Sequence, residues 1–191
     1  MAERFKDRYR IPTARAPWHD YKAGSYFVTI CTQDREPFFG NIVNGEMLLS
    51  NIGITANDCM EQVSLHFPHV EVPTYIIMPN HVHAIIIIDA LDVETQDFAS
   101  LQTKQKFGPQ SKNLASVIRG YKIGVTKYSK EHNLPFAWQP RFHDHIIKNT
   151  HEMNAIARYI ENNVDRWPED CYNGIKQPMT IVDDNNYQIY F

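Results

Sequence analysis

Cysteine is scarce in this chain, three among 191 residues. Cys31, Cys59 and Cys171 stand far apart, an odd number without the short spacing of a metal knuckle, and they read as reduced thiols used for packing. No apolar run approaches the roughly 18 residues needed to cross a bilayer. The opening stretch MAERFKDRYR is charged where a secretory signal would be apolar. The expectation is a cytoplasmic chain with no membrane partner. A G-x-x-x-x-G-K-[ST] loop is missing as well, so no nucleotide cofactor is expected. Positive charge is not in excess either, since 19 Lys and Arg against 22 Asp and Glu give a formal net charge of -3. A nucleic-acid surface would have to arise from the distribution of charge rather than its sum.

That distribution is uneven. Acidic residues gather at Asp89, Asp92, Glu94 and Asp97, whereas Lys112, Arg119, Lys122, Lys127, Lys130, Arg141 and Lys148 have only Glu131 and Asp144 between them. A basic face on a mildly acidic protein and an ordinary solvated helix surface both fit this pattern. The length suits one domain over residues 1–191 with a full core. An apolar share of 43% and a charged share of 21% are those of a globular protein. No internal repeat or low-complexity tract interrupts it.

Residues 25–32, SYFVTICT, predict a first strand. Asn44-Gly45, between two short apolar runs, predicts a hairpin because both residues tolerate positive φ. Ile54, Cys59, Met60, Val63 and Phe67 recur at helical spacing and predict a helix over 51–67. Two strands, VEVPTYIIM and HVHAIIII, should follow, joined at Pro79-Asn80. From about 90 to 112 the periodicity vanishes, which predicts a flexible polar loop. Leu114, Val117, Ile118, Tyr121, Val125 and Tyr128 then restore a helical stripe to about His132. WQPRFHDHIIK offers another strand. The spacing of Met153, Ile156, Ile160, Val164 and Trp167 predicts a last helix capped by Thr150 and stopped by Pro168. A tail after about 170 ends in YQIYF, a possible edge strand. These elements predict an α+β domain: a largely antiparallel sheet with helices packed on one face and the other face free.

Within YIIMPNHVHAIIII, two imidazoles interrupt an aliphatic run, where an unpaired polar group is costly. His81 and His83 are two apart in a strand and so share a face. Such a pair can hold a divalent metal if a third ligand is near. His143 and His145 show the same alternation and read better as supporting or substrate-contacting groups. On the last helix Tyr159 falls well off the apolar stripe, with Asn163 at i+4. It is either a half-buried tyrosine at the edge of the helix–sheet contact or a phenol held near a metal, with the Asn163 amide oxygen as a third ligand. In the second case a metal on His81 and His83 would polarise a phosphodiester for attack by Tyr159, and the phosphotyrosine would conserve the ester for rejoining without ATP.

MPNHVHAIIII, SVIRGYKIGVTKY, WQPRFHDHII and ARYIENNVDRWPED, together with YFVTICTQDREPFFG, resemble the REP-associated tyrosine transposases. These are a branch of the single-tyrosine transposases in the HUH-endonuclease superfamily, and the resemblance spans about 26–170. It implies a ferredoxin-like, RNA-recognition-like sheet, Mg²⁺ or Mn²⁺ as cofactor, and single-stranded or hairpin DNA as partner. It also implies His81 and His83 as metal ligands, Asn163 as a further ligand, and Tyr159 as nucleophile. His143 or His145 would be a possible proton acceptor. Lys112, Arg119, Lys122, Lys127, Lys130 and Arg141 are the candidate DNA contacts, and either a monomer or a homodimer fits. Two other classes stay open: a DNA-binding protein that has lost turnover, and a nucleotide hydrolase of the histidine-triad type. The hydrolase would want a third alternating histidine where Ile85 stands.

Overall fold

The computed structural model describes residues 19–89, 112–170, 172–173, 180–182 and 188–190. The loop expected from about 90 to 112, apart from Lys112, and most of the tail after 170 lie outside the described residues. Eight strands and four α-helices are described, in the order β1 (Gly24–Cys31), β2 (Gly40–Val43), β3 (Glu46–Leu49), α1 (Asn51–Glu61), α2 (Val63–His66), β4 (Val70–Ile77), β5 (His81–Ile88), α3 (Leu114–Glu131), β6 (His143–Ile147), α4 (Thr150–Glu161), β7 (Thr180–Val182) and β8 (Gln188–Tyr190). The main sheet runs β4-β5-β1-β6, every neighbouring pair antiparallel. With the β2–β3 hairpin set aside, β1-α1-β4-β5-α3-β6 is the β-α-β-β-α-β arrangement of ferredoxin-like folds. The α+β class and the antiparallel sheet are therefore as the sequence predicts.

Local chemistry accounts for most elements. Asn44 (φ 54) and Gly45 (φ 79) both take the left-handed conformation that a tight hairpin requires. Ser50 accepts from the Gly53 amide to cap α1, and Asn113 with Ser116 forms a capping box on α3. The single helix expected over 51–67 breaks at Gln62 into α1 and α2. Within YQIYF, Gln188–Tyr190 forms β8, which pairs with β7 in a separate two-stranded sheet instead of extending the main one.

One face of the sheet carries Tyr26, Val28, Ile30, Val82, Ala84, Ile86 and Ile88 against α1 and α3. The opposite face, expected to be free, is covered. Phe27 and Ile85 pack there beneath Ala155, Ile156, Tyr159 and Ile160 of α4, with Ile181 of β7 alongside. Burial on both faces is the physical reason β5 continues as unbroken Ile85–Ile88 instead of alternating with polar residues.

The expected limits of α4 also shift. Its cap is Asn149, whose side chain accepts from the Glu152 amide. It ends at Glu161, where the Asn162 side chain turns back to donate to the Arg158 carbonyl. Asn163 thus lies in the turn beyond the helix. Glu152, Ala155, Ile156, Tyr159 and Ile160 form the buried face, spaced i, i+3, i+4, i+7 and i+8. Tyr159 belongs to that face. Val164 and Trp167 lie past the helix end, and the stripe read from Met153, Ile156 and Ile160 passes Tyr159 by because Glu152 and Ala155 are left out of it.

Candidate active site

His81 and His83 open β5 with both side chains on the α4 face. Each is fully buried, and their ring centroids lie 4.4 Å apart. Asn80 fixes the tautomer of His81. Its Nδ2 donates to the carbonyl oxygens of Arg35 and Tyr172, so its Oδ1 is the atom 2.9 Å from His81 Nδ1 and must accept a proton from it. The lone pair of His81 is therefore on Nε2, a buried atom with no hydrogen-bond partner. For His83, Nδ1 lies 2.9 Å from Thr29 Oγ1, and the Val28 carbonyl also bonds the ring. Nε2 is left toward Tyr159 Oη at 3.5 Å, the outer limit of a hydrogen bond.

Burial pulls the His83 pKa down to about 3. Burial, then the neighbouring His83 and Arg35, hold His81 well below the usual range. Both imidazoles are neutral at neutral pH, the form that binds a metal.

Two further polar groups close on the pair. Asp170, buried, places a carboxylate oxygen so that one ligand atom each from His81, His83 and Asp170 all lie within 4.8 Å of one another. Asn163 is fully buried beside His81, where it favours the charged imidazole, yet neither its Oδ1 nor its Nδ2 has a partner. Orphaned buried polar atoms are costly. A divalent cation held among two neutral imidazoles, a carboxylate and an amide oxygen is the chemistry that would satisfy the lone pairs of His81 Nε2 and Asn163 Oδ1, so the donor set fits a metal.

Aromatic rings enclose this cluster. Tyr159 meets His83 edge-on at 5.4 Å and Phe27 at 6.2 Å. Tyr172 lies 4.5 Å from His81 and 5.9 Å from His83, and Trp167 stacks on His81 at 6.1 Å.

The β6 histidines separate. His143 pairs with Thr29 in the register and His145 with Phe27, so both are on the α4 face. His143 is exposed. His145 Nε2 bonds Glu152 Oε1 at 2.8 Å, while Glu152 Oε2 accepts from the Lys148 amide at 2.6 Å. This buried carboxylate fastens the start of α4 to β6 and so sets where Tyr159 falls. Glu152→Ala removes the acceptor of both bonds and should cost about 2 kcal/mol in urea unfolding. A change under about 0.5 kcal/mol would show that α4 is placed by its apolar face alone.

The basic residues lie on the other side of the sheet. Arg119, Lys122, Lys127, Lys130 and Arg141, with Ile123, line a groove of about 650 Å³ along α3. Lys122 is occupied within it, donating to the carbonyls of Gln139 and Arg141 and lying 5.3 Å from the Trp138 ring. Burial lowers its pKa to about 8. Tyr121 is core, but Tyr128, expected on the same stripe, stacks on His132 at 4.0 Å.

Sequence reasoning missed Asp170, Asn80 and Thr29 as parts of the site. The Asn80 side chain beside His81 was legible in PNHVH. Asp170 carried no signal, because it reaches the histidines only through the turns that follow α4.

No family model matches the chain. Among solved structures, that of the REP-associated tyrosine transposase bound to a REP hairpin superposes with a TM-score of 0.53 at 20% identity, covering 81% of this chain and 74% of that one. The fold is thus that of the REP-associated tyrosine transposase, matching the resemblance carried by the sequence motifs. An uncharacterised protein of Haemophilus influenzae is 34% identical over 161 residues, 82% of this chain and 89% of the relative. The chain belongs to the same family as that protein.

Proposed function

We propose that the chain is a metal-dependent DNA endonuclease and strand transferase that cleaves single-stranded or hairpin DNA through a 5′-phosphotyrosine on Tyr159. The observation that carries this reading is the convergence of His81, His83 and Asp170 with the Tyr159 hydroxyl 3.5 Å from His83 Nε2. His81, His83 and Asp170 would hold Mg²⁺ or Mn²⁺, with Asn163 beside them. Bound there, the cation supplies positive charge against the oxygens of the scissile phosphate.

The protein's own steps are few. Tyr159 Oη, fixed by the α4 anchor and by Phe27, attacks phosphorus in line. The Oη–P bond forms as the P–O3′ bond breaks, the phenol loses its proton, and the departing 3′ oxygen gains one. Attack by a 3′ hydroxyl reverses the step, so rejoining needs no nucleotide cofactor. A phenol gives up its proton poorly at neutral pH. With His145 bonded to Glu152, the exposed His143 on the same face is the β6 histidine we assign to take that proton through solvent.

The test is incubation of the protein with end-labelled hairpin DNA bearing single-stranded flanks, with Mn²⁺ or with EDTA. A covalent protein–DNA adduct should form with Mn²⁺ alone. A second reading, a DNA-binding protein without turnover, is favoured by one observation: both imidazoles are enclosed beneath Tyr159, Trp167 and Tyr172. Tight binding without an adduct would select it.

The hairpin stem is assigned to the α3 groove. Gln at Arg119, Lys127 and Lys130 together should weaken binding and flatten the plot of log affinity against log salt by roughly 0.9 for each phosphate that is no longer neutralised. An unchanged slope would place the duplex elsewhere. Lys122, committed to two carbonyls, is a poor choice for this test.

A further inference from the structure

A pocket of about 320 Å³ opens between α1 and α2 on one side and the flank of α3 on the other, at the lower end of small-ligand sites in size. Cys59, Val63 and Phe67 form one wall, and Gly120, Tyr121 and Gly124 the other. The pocket lies on the sheet face that carries Val28 and Val82, away from the histidine pair, so it stands independently of the DNA reading. We infer that it binds a small, uncharged, largely apolar molecule carrying one hydrogen-bond acceptor, to which the Tyr121 hydroxyl donates.

Three observations carry this. The first is an unused donor. Tyr121 is only 3% exposed, and its Oη is a buried polar atom with no hydrogen-bond partner, a costly state for a hydroxyl. The ionisable groups felt at that hydroxyl are Cys59, in the facing wall, and Tyr75, which puts it at the Cys59 end of the pocket. Tyr75 is engaged elsewhere, with Asn57 Oδ1 at 3.1 Å and Glu61 Oε1 at 3.2 Å. Burial first, then these two neighbours, holds the Tyr121 phenol well above its ordinary range. It therefore meets a ligand as O–H, a donor.

The second observation is the lining. Among the described residues no Lys, Arg, Asp or Glu borders the pocket, and its other polar side chains, Gln62 and His66, are exposed at the mouth. Such walls accept apolar surface and penalise a net charge, which excludes a phosphate or a carboxylate. The third is construction. Gly120 and Gly124 stand one turn apart inside α3, where glycine weakens a helix. A Cβ at Gly120 would lie 2.9 Å from Phe67 Cζ, and one at Gly124 would lie 2.8 Å from Cys59 Sγ. The glycines thus let Phe67 and Cys59 close on α3. The two walls are braced against each other at these two points, which fixes the width of the pocket and keeps them from collapsing onto the hydroxyl.

The test is a titration of the full ¹⁵N-labelled chain with acetophenone and with α-methylstyrene, which has the same shape but a CH₂ group in place of the carbonyl oxygen. Acetophenone should saturate at millimolar concentration or below and move the amide signals of Cys59, Gly120 and Gly124 more than those of His81 and His83. Tyr121→Phe removes the donor and keeps the ring. Its urea midpoint should be unchanged or higher, because the deleted hydroxyl has no partner within the protein. It should weaken acetophenone about fivefold, the scale of one net hydrogen bond, and change α-methylstyrene less than about twofold. On the wild-type chain alone, failure of both compounds to saturate, or shifts confined to other regions, would overturn the site and leave water as the partner of Tyr121. Equal effects of Tyr121→Phe on the two compounds would overturn the role of the hydroxyl.

Discussion

Tyr159→Phe is expected to reduce strand cleavage on the order of 10⁴-fold or more while leaving hairpin affinity and fold intact. The substitution deletes the one atom proposed to bond phosphorus. The ring itself is retained, so its edge contacts with Phe27 and His83 survive. The approach of the hydroxyl to His83 Nε2 is long at 3.5 Å, and losing that contact should cost less than about 1 kcal/mol. Single-turnover cleavage of labelled hairpin, with binding and urea unfolding measured on the same sample, checks all three. Cleavage at the wild-type rate by Tyr159→Phe would remove the nucleophile assignment.

The second large effect concerns the metal. EDTA should abolish cleavage, and His83→Ala should lower Mn²⁺ affinity at least about 100-fold, read by titration calorimetry on the protein alone. The reason is local. His83 Nδ1 is committed to Thr29 and His81 Nδ1 to Asn80, so each ring presents Nε2 to the cluster. Asp170→Asn keeps the shape and removes the negative charge, and should weaken Mn²⁺ by about tenfold or more. Hairpin affinity should be nearly unchanged in both variants, because the proposed stem groove lies across the sheet. If Asp170→Asn binds Mn²⁺ as wild type does while Asn163→Ala does not, the third ligand is the amide suggested by the sequence and not the carboxylate.

The histidine pair was legible because alternation in a strand is a strict rule and the flanking residues are aliphatic. The hairpin was legible from Asn44-Gly45, and α3 from its stripe and cap. The covering of the second sheet face was not recognised, although Ile85–Ile88 signalled it: a strand with one wet face does not carry four consecutive isoleucines. Tyr159 was identified as functional for a reason the fold corrects. It faces the sheet and owes its place to that burial. Asp170 could not be read at all, since its approach depends on the turn that begins at Asn162, where a tertiary path and not a periodic pattern brings it back. Lys122 shows the same limit for charge. Its lysine was visible, but its use in holding the Gln139 and Arg141 carbonyls was not.

Among the described residues two tyrosines lie against the imidazoles, Tyr159 and Tyr172, and trypsin separates them. Cleavage after Arg158 and Arg166 puts Tyr159 at the head of the peptide Tyr159–Arg166, while Tyr172 falls in the peptide that begins at Trp167. The most direct measurement is therefore to trap the adduct with flanked hairpin DNA and Mn²⁺, digest it with nuclease and trypsin, and locate the nucleotide remnant by mass. The account predicts the remnant on Tyr159. A remnant on Tyr172, or on any other residue, would contradict it.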